Sequence, residues 1–380
     1  MPPTARSRGP PAVSYGRPAW RLGLAGVLIT LYAVALWNAP EKKSGGWRSA
    51  SDFGYTPDPA GAAEFLESLD VRFFRDAAPD AMAKAEERDT FLYRAMDAAH
   101  RERYGKPFAP ERQGIGDCVG WGAAHAVYCA ESVEWQLGNR SEPPIFPSTE
   151  ALYGGSRVEA RGKPGDGSRP VGGWSDGSTG YAAAKWLRDW GVVYRRQHEL
   201  KKNGGGGVEV LDLRDYSSER AKQYGAYGCG GRDDGGRLDK IAAETPCRHV
   251  VAVKTWDELV AAITSGYPVT IASSQGFTKT RDADGFCKAS GTWMHQMCIA
   301  GIRFKKNGGG GVPRDGALVL NSWGDYCRGG KWPDDQPDGT FWAERRTVER
   351  ILRQGDCWAI AEVDFKWRDI RHDRWLGIEP

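Results

Sequence analysis

Gln113-Gly114-Ile115-Gly116-Asp117-Cys118-Val119-Gly120-Trp121-Gly122 runs directly into the helix-compatible stretch Ala123-Ala124-His125-Ala126-Val127-Tyr128. A glutamine and two glycines lead up to a thiol, and small residues follow it. This spacing predicts a tight loop ending at a helix N-terminus, with Cys118 in or near the first turn. Unpaired N–H groups and the helix dipole favour a thiolate at such a position. Taken alone, the pattern also suits a buried packing cysteine, since free cysteine is among the most enclosed residue types. What separates the two readings is whether the rest of the chain supplies a base and a group to orient it.

The chain has six histidines, so the search for a base is short. His125 lies on the same predicted helix as Cys118, nearly two turns away, where ring and thiol do not easily meet. His100, His198 and His372 sit in charged or polar segments. His249 stands beside Cys247 but has no further ligand at metal-binding spacing. His295 opens the apolar run Met297-Cys298-Ile299-Ala300-Gly301, which predicts a histidine at a strand start; a satisfied core histidine is the plain alternative. Downstream, Ala317-Leu318-Val319-Leu320 reads as a buried strand, and Asn321-Ser322-Trp323-Gly324 follows it directly. An asparagine at that point can accept a hydrogen bond from a ring N–H and so set the imidazole tautomer. The tryptophan after it can cover that bond against water.

Taken together, these motifs resemble the papain-like cysteine peptidases. Gln113 to Cys118 is similar to that family's glutamine-to-cysteine loop, shortened by one residue. Met294-His295-Gln296-Met297 is similar to its histidine strand, and Asn321-Ser322-Trp323-Gly324 stands as its asparagine signature, in the family's order. The resemblance covers roughly residues 110 to 365. It implies an α+β fold with a helical left part (about 110–245) carrying the thiol and a β-barrel-like right part (about 246–365) carrying His295 and Asn321. The active site would lie in the cleft between them. The implied roles are Cys118 as nucleophile, His295 as base, Asn321 as its orienter and Gln113 as an oxyanion donor. Trp323 would shield the pair beside the substrate, and Gly172 and Gly173 would line the cleft ahead of the helix Tyr181–Trp190. The implied activity is endopeptidase cleavage of a protein or peptide substrate through a thioester, with no cofactor and no metal.

Besides the shortened loop, which also lacks the half-cystine of plant and lysosomal members, the chain departs from the family at further places. Val119 stands where plant and lysosomal members carry tryptophan, with Trp121 as the packing substitute. The cysteine-to-histidine spacing exceeds the family's typical range of about 130–150 residues. No inhibitory prosegment signature is visible in residues 40–109. Two other readings fit the same residues: an envelope amidase or transpeptidase on this scaffold, and a catalytically inactive papain-like binding module.

Upstream, residues 1–19 form a basic leader containing Arg6, Arg8 and Arg17. Residues 20–39, WRLGLAGVLITLYAVALWNA, carry Arg21 as their only charge, and the uncharged run from Leu22 is just long enough to cross a bilayer. Trp20 and Trp37 mark its ends, where interfacial aromatics are expected. This predicts a membrane anchor with an exported periplasmic or extracellular body, or a secreted protein if the segment is cleaved near Ala33-Val34-Ala35. Residues 40–109 read as a linker and helical arm, with Phe65, Leu66 and Leu69 on one face and Phe91, Leu92, Met96 and Ala99 on another.

The octamer KKNGGGGV at 201–208 recurs at 305–312. The second copy leads into Pro313 and an apolar run rather than a helix, which predicts surface insertions between strands, not phosphate cradles. A net charge of +3 with 27% charged residues points away from nucleic acid as a partner. Eight cysteines without a CxxC pair argue against a thiolate zinc site, and Cys129 and Cys298 read as core thiols. Helical patterns give way to strands from about Val250, which by itself indicates an α+β protein.

Overall fold

Helices come first and a sheet second, and the change falls close to residue 245. The computed structural model describes residues 53–161, 176–202, 206–247, 249–304 and 314–370. The basic leader, the predicted span 20–39, Gly172, Gly173 and the second glycine octamer lie outside these residues. No helix among the described residues is long and apolar enough to cross a membrane.

The helical half contains α1 (Pro59–Glu67), α2 (Phe74–Ala77), α3 (Pro79–Lys84), α4 (Tyr93–Tyr104), α5 (Cys118–Gln136), α6 (Thr149–Arg157) and α7 (Gly180–Asp189). A hairpin of β1 (Gln197–Lys201) and β2 (Val208–Asp212) follows, then α8 (Ser218–Tyr227) and α9 (Arg237–Ala242). The second half contains β3 (His249–Ala252), α10 (Trp256–Thr264), β4 (Val269–Phe277), β5 (Thr280–Arg281) and β6 (Ala289–Arg303). After these come β7 (Gly316–Leu320), β8 (Arg328–Gly329), β9 (Phe341–Glu344), α11 (Arg345–Leu352) and β10 (Asp356–Ala361).

Every residue of α5 from Cys118 to Glu134 is buried. A helix enclosed on all sides belongs in a core rather than on a surface, and α5 packs against α4, α6 and β6. Its neighbours start where side chains can satisfy their first N–H groups. Ser148 Oγ accepts from the Ala151 N–H at the head of α6, and Thr179 Oγ1 accepts from Ala182 N–H at the head of α7. Thr255 and Glu258 form a reciprocal capping box on α10. Each such cap stabilises its helix by about 1 kcal/mol.

The main sheet runs in the order β3-β10-β4-β6-β7-β9, with every neighbouring pair antiparallel. β6 begins at Ala289, well before the strand start expected at His295, which instead pairs with Ser273 inside the ladder. The first four residues of β6 are exposed and carry no apolar pattern; backbone pairing with β4 forms this part of the strand. The two ends of the first glycine octamer, Lys201 and Val208, pair across β1 and β2, and Arg303 and Gly316, on either side of the second, pair across β6 and β7, each antiparallel.

The segment ahead of the thiol helix is built into the body. Phe65 of α1 packs on Trp358 at 5.0 Å between centroids. Thr90 and Ile302 exchange backbone hydrogen bonds of 2.9 and 2.8 Å. Phe91, Leu92, Met96 and Ala99 are all buried. All eight cysteines are buried free thiols, and Cys129 and Cys298 are fully enclosed.

Candidate active site

Two short backbone runs pull the sequence motifs together. The Gln113 N–H donates to Ser322 O at 2.8 Å and the Gly324 N–H to Glu111 O at 3.2 Å, with Arg112 opposite Trp323. The loop before the thiol is thereby stitched to the loop after β7. Ser322 Oγ donates to Gln113 Oε1 at 2.6 Å. This turns the amide so that its Nε2 faces the thiol loop, where it donates to Ile115 O at 2.9 Å.

Cys118 is the first residue of α5 and is fully buried. The residue after His295 pins it from the β side. The Gln296 N–H donates to Sγ at 3.4 Å, and Gln296 Nε2 donates to Val119 O at 3.3 Å. Trp121 is buried against Phe146 and Tyr216 in the helical core.

His295 has a fixed tautomer. Its Nε2 lies 2.8 Å from Asn321 Oδ1, and the same oxygen accepts the Ser322 N–H at 2.8 Å. A backbone N–H can only donate, so the atom facing it is the amide oxygen and the proton of the neutral ring must sit on Nε2. The lone pair is then on Nδ1, which has no hydrogen-bond partner among the described residues. Trp323 lies over the ring at 4.5 Å between centroids, tilted 35°. Trp293 and Tyr326 each stand 4.7 Å from Trp323 and close the wall. These rings exclude water from the His295–Asn321 bond.

A segment that the sequence motifs did not flag closes the groove. The Gly54 and Tyr55 N–H groups both donate to Met294 O, at 3.2 and 3.0 Å. The Thr56 N–H donates to Ser178 O, and the Ser178 N–H to Gly54 O, each at 2.7 Å. Phe53 sets its ring edge-on to Trp323 at 5.6 Å and to His295 at 6.3 Å. The crossing depends on glycine on both strands. A Cβ on Gly54 would stand 1.9 Å from Gly116 O, and one on Gly116 would stand 2.4 Å from Phe53 O. The aromatic-glycine-aromatic triplet Phe53-Gly54-Tyr55, inside a polar linker, is the sequence signal for this contact.

This cover reverses the expected state of the thiol. Burial pushes Cys118 up to about 12; the Gln296, Gly54 and Val119 N–H groups pull the other way, and neighbouring Asp117 adds to the rise. Burial pushes His295 down to about 4, against the pull of the Asn321 bond. The helix N-terminus does favour a thiolate, but full desolvation is the larger effect here. Both groups are therefore neutral in this closed arrangement. Asp117 is itself held well above the carboxylate range by burial and accepts a 3.0 Å hydrogen bond from Tyr216 OH.

Gln113, Cys118, His295, Asn321 and Trp323 thus converge on one centre. Gly172 and Gly173 lie outside the described residues, although the end of their loop, at Gly177 and Ser178, meets the covering segment. The sequence motifs contain Gln296 and Ser322 but give neither a role, and they do not reach Gly54. No group of three or more metal-ligating side chains occurs among the described residues.

No known family model matches the chain, and no curated protein matches it. Among solved structures it is similar to xylellain, a cysteine protease from Xylella fastidiosa, at 16% identity over 84% of this chain and 100% of that one, with a TM-score of 0.51. Digestive procathepsin L 3 of Tenebrio molitor larval midgut matches at 15% identity over 92% and 94% of the two chains, with a TM-score of 0.43. The cysteine protease and lectin-like domains of Cwp84 from Clostridium difficile match at 17% over 84% and 63%, with a TM-score of 0.42. The fold is the α+β papain-like fold. At these identities the likeness is one of fold.

Proposed function

We propose that the protein is a cysteine-type endopeptidase using Cys118, His295 and Asn321, held closed by its own residues 53–56. The observation that carries this reading is the 2.8 Å His295–Asn321 bond under Trp323, one residue from the N–H that touches the Cys118 sulfur. Displacing Phe53–Tyr55 would let water reach the thiol and the ring. Solvation would then lower Cys118 and raise His295, which favours transfer of the thiol proton to Nδ1. The thiolate attacks the scissile carbonyl, and the Cys118 N–H and the Gln113 amide hold the oxyanion. Donors of this kind are each worth about 3 kcal/mol. The imidazolium protonates the leaving amine, and water then releases the acyl group from sulfur. Asn321 keeps the ring in place throughout.

The apolar run 20–39 supports placing this activity on the outer side of a membrane, or in the medium if that run is removed. Hydrolysis of a peptide library by wild type and Cys118→Ala, with isolated peptidoglycan as a parallel substrate, tests the reading. Peptide cleavage lost in the variant is the expected result. Full cleavage by Cys118→Ala would rule out the mechanism, and cleavage of peptidoglycan alone would shift the assignment to the envelope reading.

A further inference from the structure

A cavity of about 500 Å³ opens in the helical half among α4, α5 and the segments around residues 145, 195 and 215. Its size falls within the range of small-molecule sites, about 300–1,000 Å³. None of Gly54, Cys118, His295 or Asn321 lines it.

Its surroundings are densely charged. Arg103, Lys106, Arg195, Arg196 and Arg214 line it against Glu111 and Asp215; Glu142 beside Arg103 and Asp212 beside Arg214 stand just outside the lining, so five cations face four carboxylates. Some of these cations are already engaged. Arg195 grips Glu111 with Nη1 at 2.8 and 2.9 Å, and Arg214 Nε meets both Asp212 oxygens at 3.0 and 3.1 Å. Exposed Lys106 and Arg196 have no carboxylate partner among the described residues.

The buried end of the cavity holds polar atoms with nothing to bind. His125 is 1% exposed, and neither ring nitrogen has a hydrogen-bond partner among the described residues. The same holds for Nε of Arg195, which is 8% exposed. Phe108 and Phe146 stand edge-on to the His125 ring at 6.0 and 5.8 Å. Burial, reinforced by the Arg195 cation, pushes His125 down to about 3, so the ring is neutral and offers one N–H donor. Enclosing polar atoms unsatisfied is costly, and an apolar residue would fill this place more cheaply.

We propose that this cavity binds a compact polyanion of the phosphate class, with Lys106 and Arg196 at its mouth and Arg195 Nε and the His125 N–H at its floor. Guanidinium forks suit phosphoryl oxygens, and the two cations at the mouth that no carboxylate among the described residues engages suit a multiply charged anion. The site reports to the thiol loop through Tyr216, which lines the cavity. Its hydroxyl donates to Asp117 and accepts the Gly114 N–H at 2.9 Å. The binding itself does not depend on the peptidase reading.

Isothermal titration of the full-length protein with inorganic pyrophosphate tests the proposal. The expected result is one saturable site, weaker for sulfate and citrate, with affinity falling at least about tenfold in the surface variant Lys106→Glu/Arg196→Glu. His125→Phe should weaken binding by a similar factor while the unliganded protein unfolds at the same or a higher temperature, which a merely structural histidine would not do. No saturable binding at millimolar pyrophosphate would overturn the proposal. So would unchanged affinity in the charge-reversed variant, or citrate binding more tightly than pyrophosphate.

Discussion

His295 and His125 are both enclosed and both held neutral by burial, at about 4 and about 3, yet their surroundings differ. His295 gives its Nε2 proton to Asn321, lies under Trp323 and sits on a strand whose next residue touches the thiol. His125 shares a helix with Cys118, but at 1.5 Å per residue it lies about 10 Å further along. Both of its nitrogens are unpartnered among the described residues, and its neighbours are aromatic rings and the Arg195 cation. Burial alone therefore does not make a base. A partner that fixes the proton on one nitrogen and leaves the other available suits a base, and of these two rings His295 has one and His125 does not.

The strongest way to break this comparison is to remove either member of the proposed reacting pair. Cys118→Ala or His295→Ala should each lower peptide kcat by about 10⁴-fold or more, whereas His125→Phe should leave kcat within a fewfold of wild type in the same assay. Gln113→Ala comes next, with a loss of about 10²–10³ in kcat and little change in KM, as expected for a donor that acts on the oxyanion.

A third test uses pH. The His125 ring stays neutral in the fold down to about 3 but takes up a proton in the unfolded chain below about 6.5. The wild type therefore loses stability from this group as pH falls from 6.5, and His125→Phe does not. Between pH 7 and pH 5 the variant should gain about 2 kcal/mol on the wild type in denaturant titrations; a constant difference would show that the ring is not held neutral.

Smaller effects probe the cover and the stitch between the two loops. Gly54→Val would put a side chain into Gly116 O, where a Cβ alone stands at 1.9 Å. The overlap should push the segment out and raise the rate of thiol alkylation about tenfold, in line with overpacking costs of about 1–3 kcal/mol. Ser322→Ala leaves buried Gln113 Oε1 without its 2.6 Å donor and should cost about 1–2 kcal/mol of stability, measured by urea denaturation.

The parts of this centre that were legible in the sequence are those encoded by short runs. Asn321-Ser322-Trp323-Gly324 after an apolar strand, a histidine ahead of another, and a glycine-flanked cysteine before a helix each announce themselves locally. The α+β order was visible for the same reason. The start of β6 was not, because Ala289–Thr292 are exposed and held by backbone pairing that leaves no hydrophobic pattern. The cover was hidden similarly: Gly54 meets Met294 and Gly116 through main-chain atoms far apart in the chain. The direction of the Cys118 shift also escaped, since the helix dipole can be read from sequence but the desolvation that outweighs it depends on the cover. The cationic cavity draws on Lys106, Arg195, Arg196 and Arg214, residues too scattered to form a motif.

Mass-spectrometric mapping of a thiol-directed epoxide on Gly54→Val, alone and combined with His295→Ala, tests the central claim most directly. Cys118 is expected to be the labelled thiol in Gly54→Val, faster than in wild type, and His295→Ala to abolish the labelling. An unlabelled Cys118 in Gly54→Val, or equal labelling with and without His295, would contradict it.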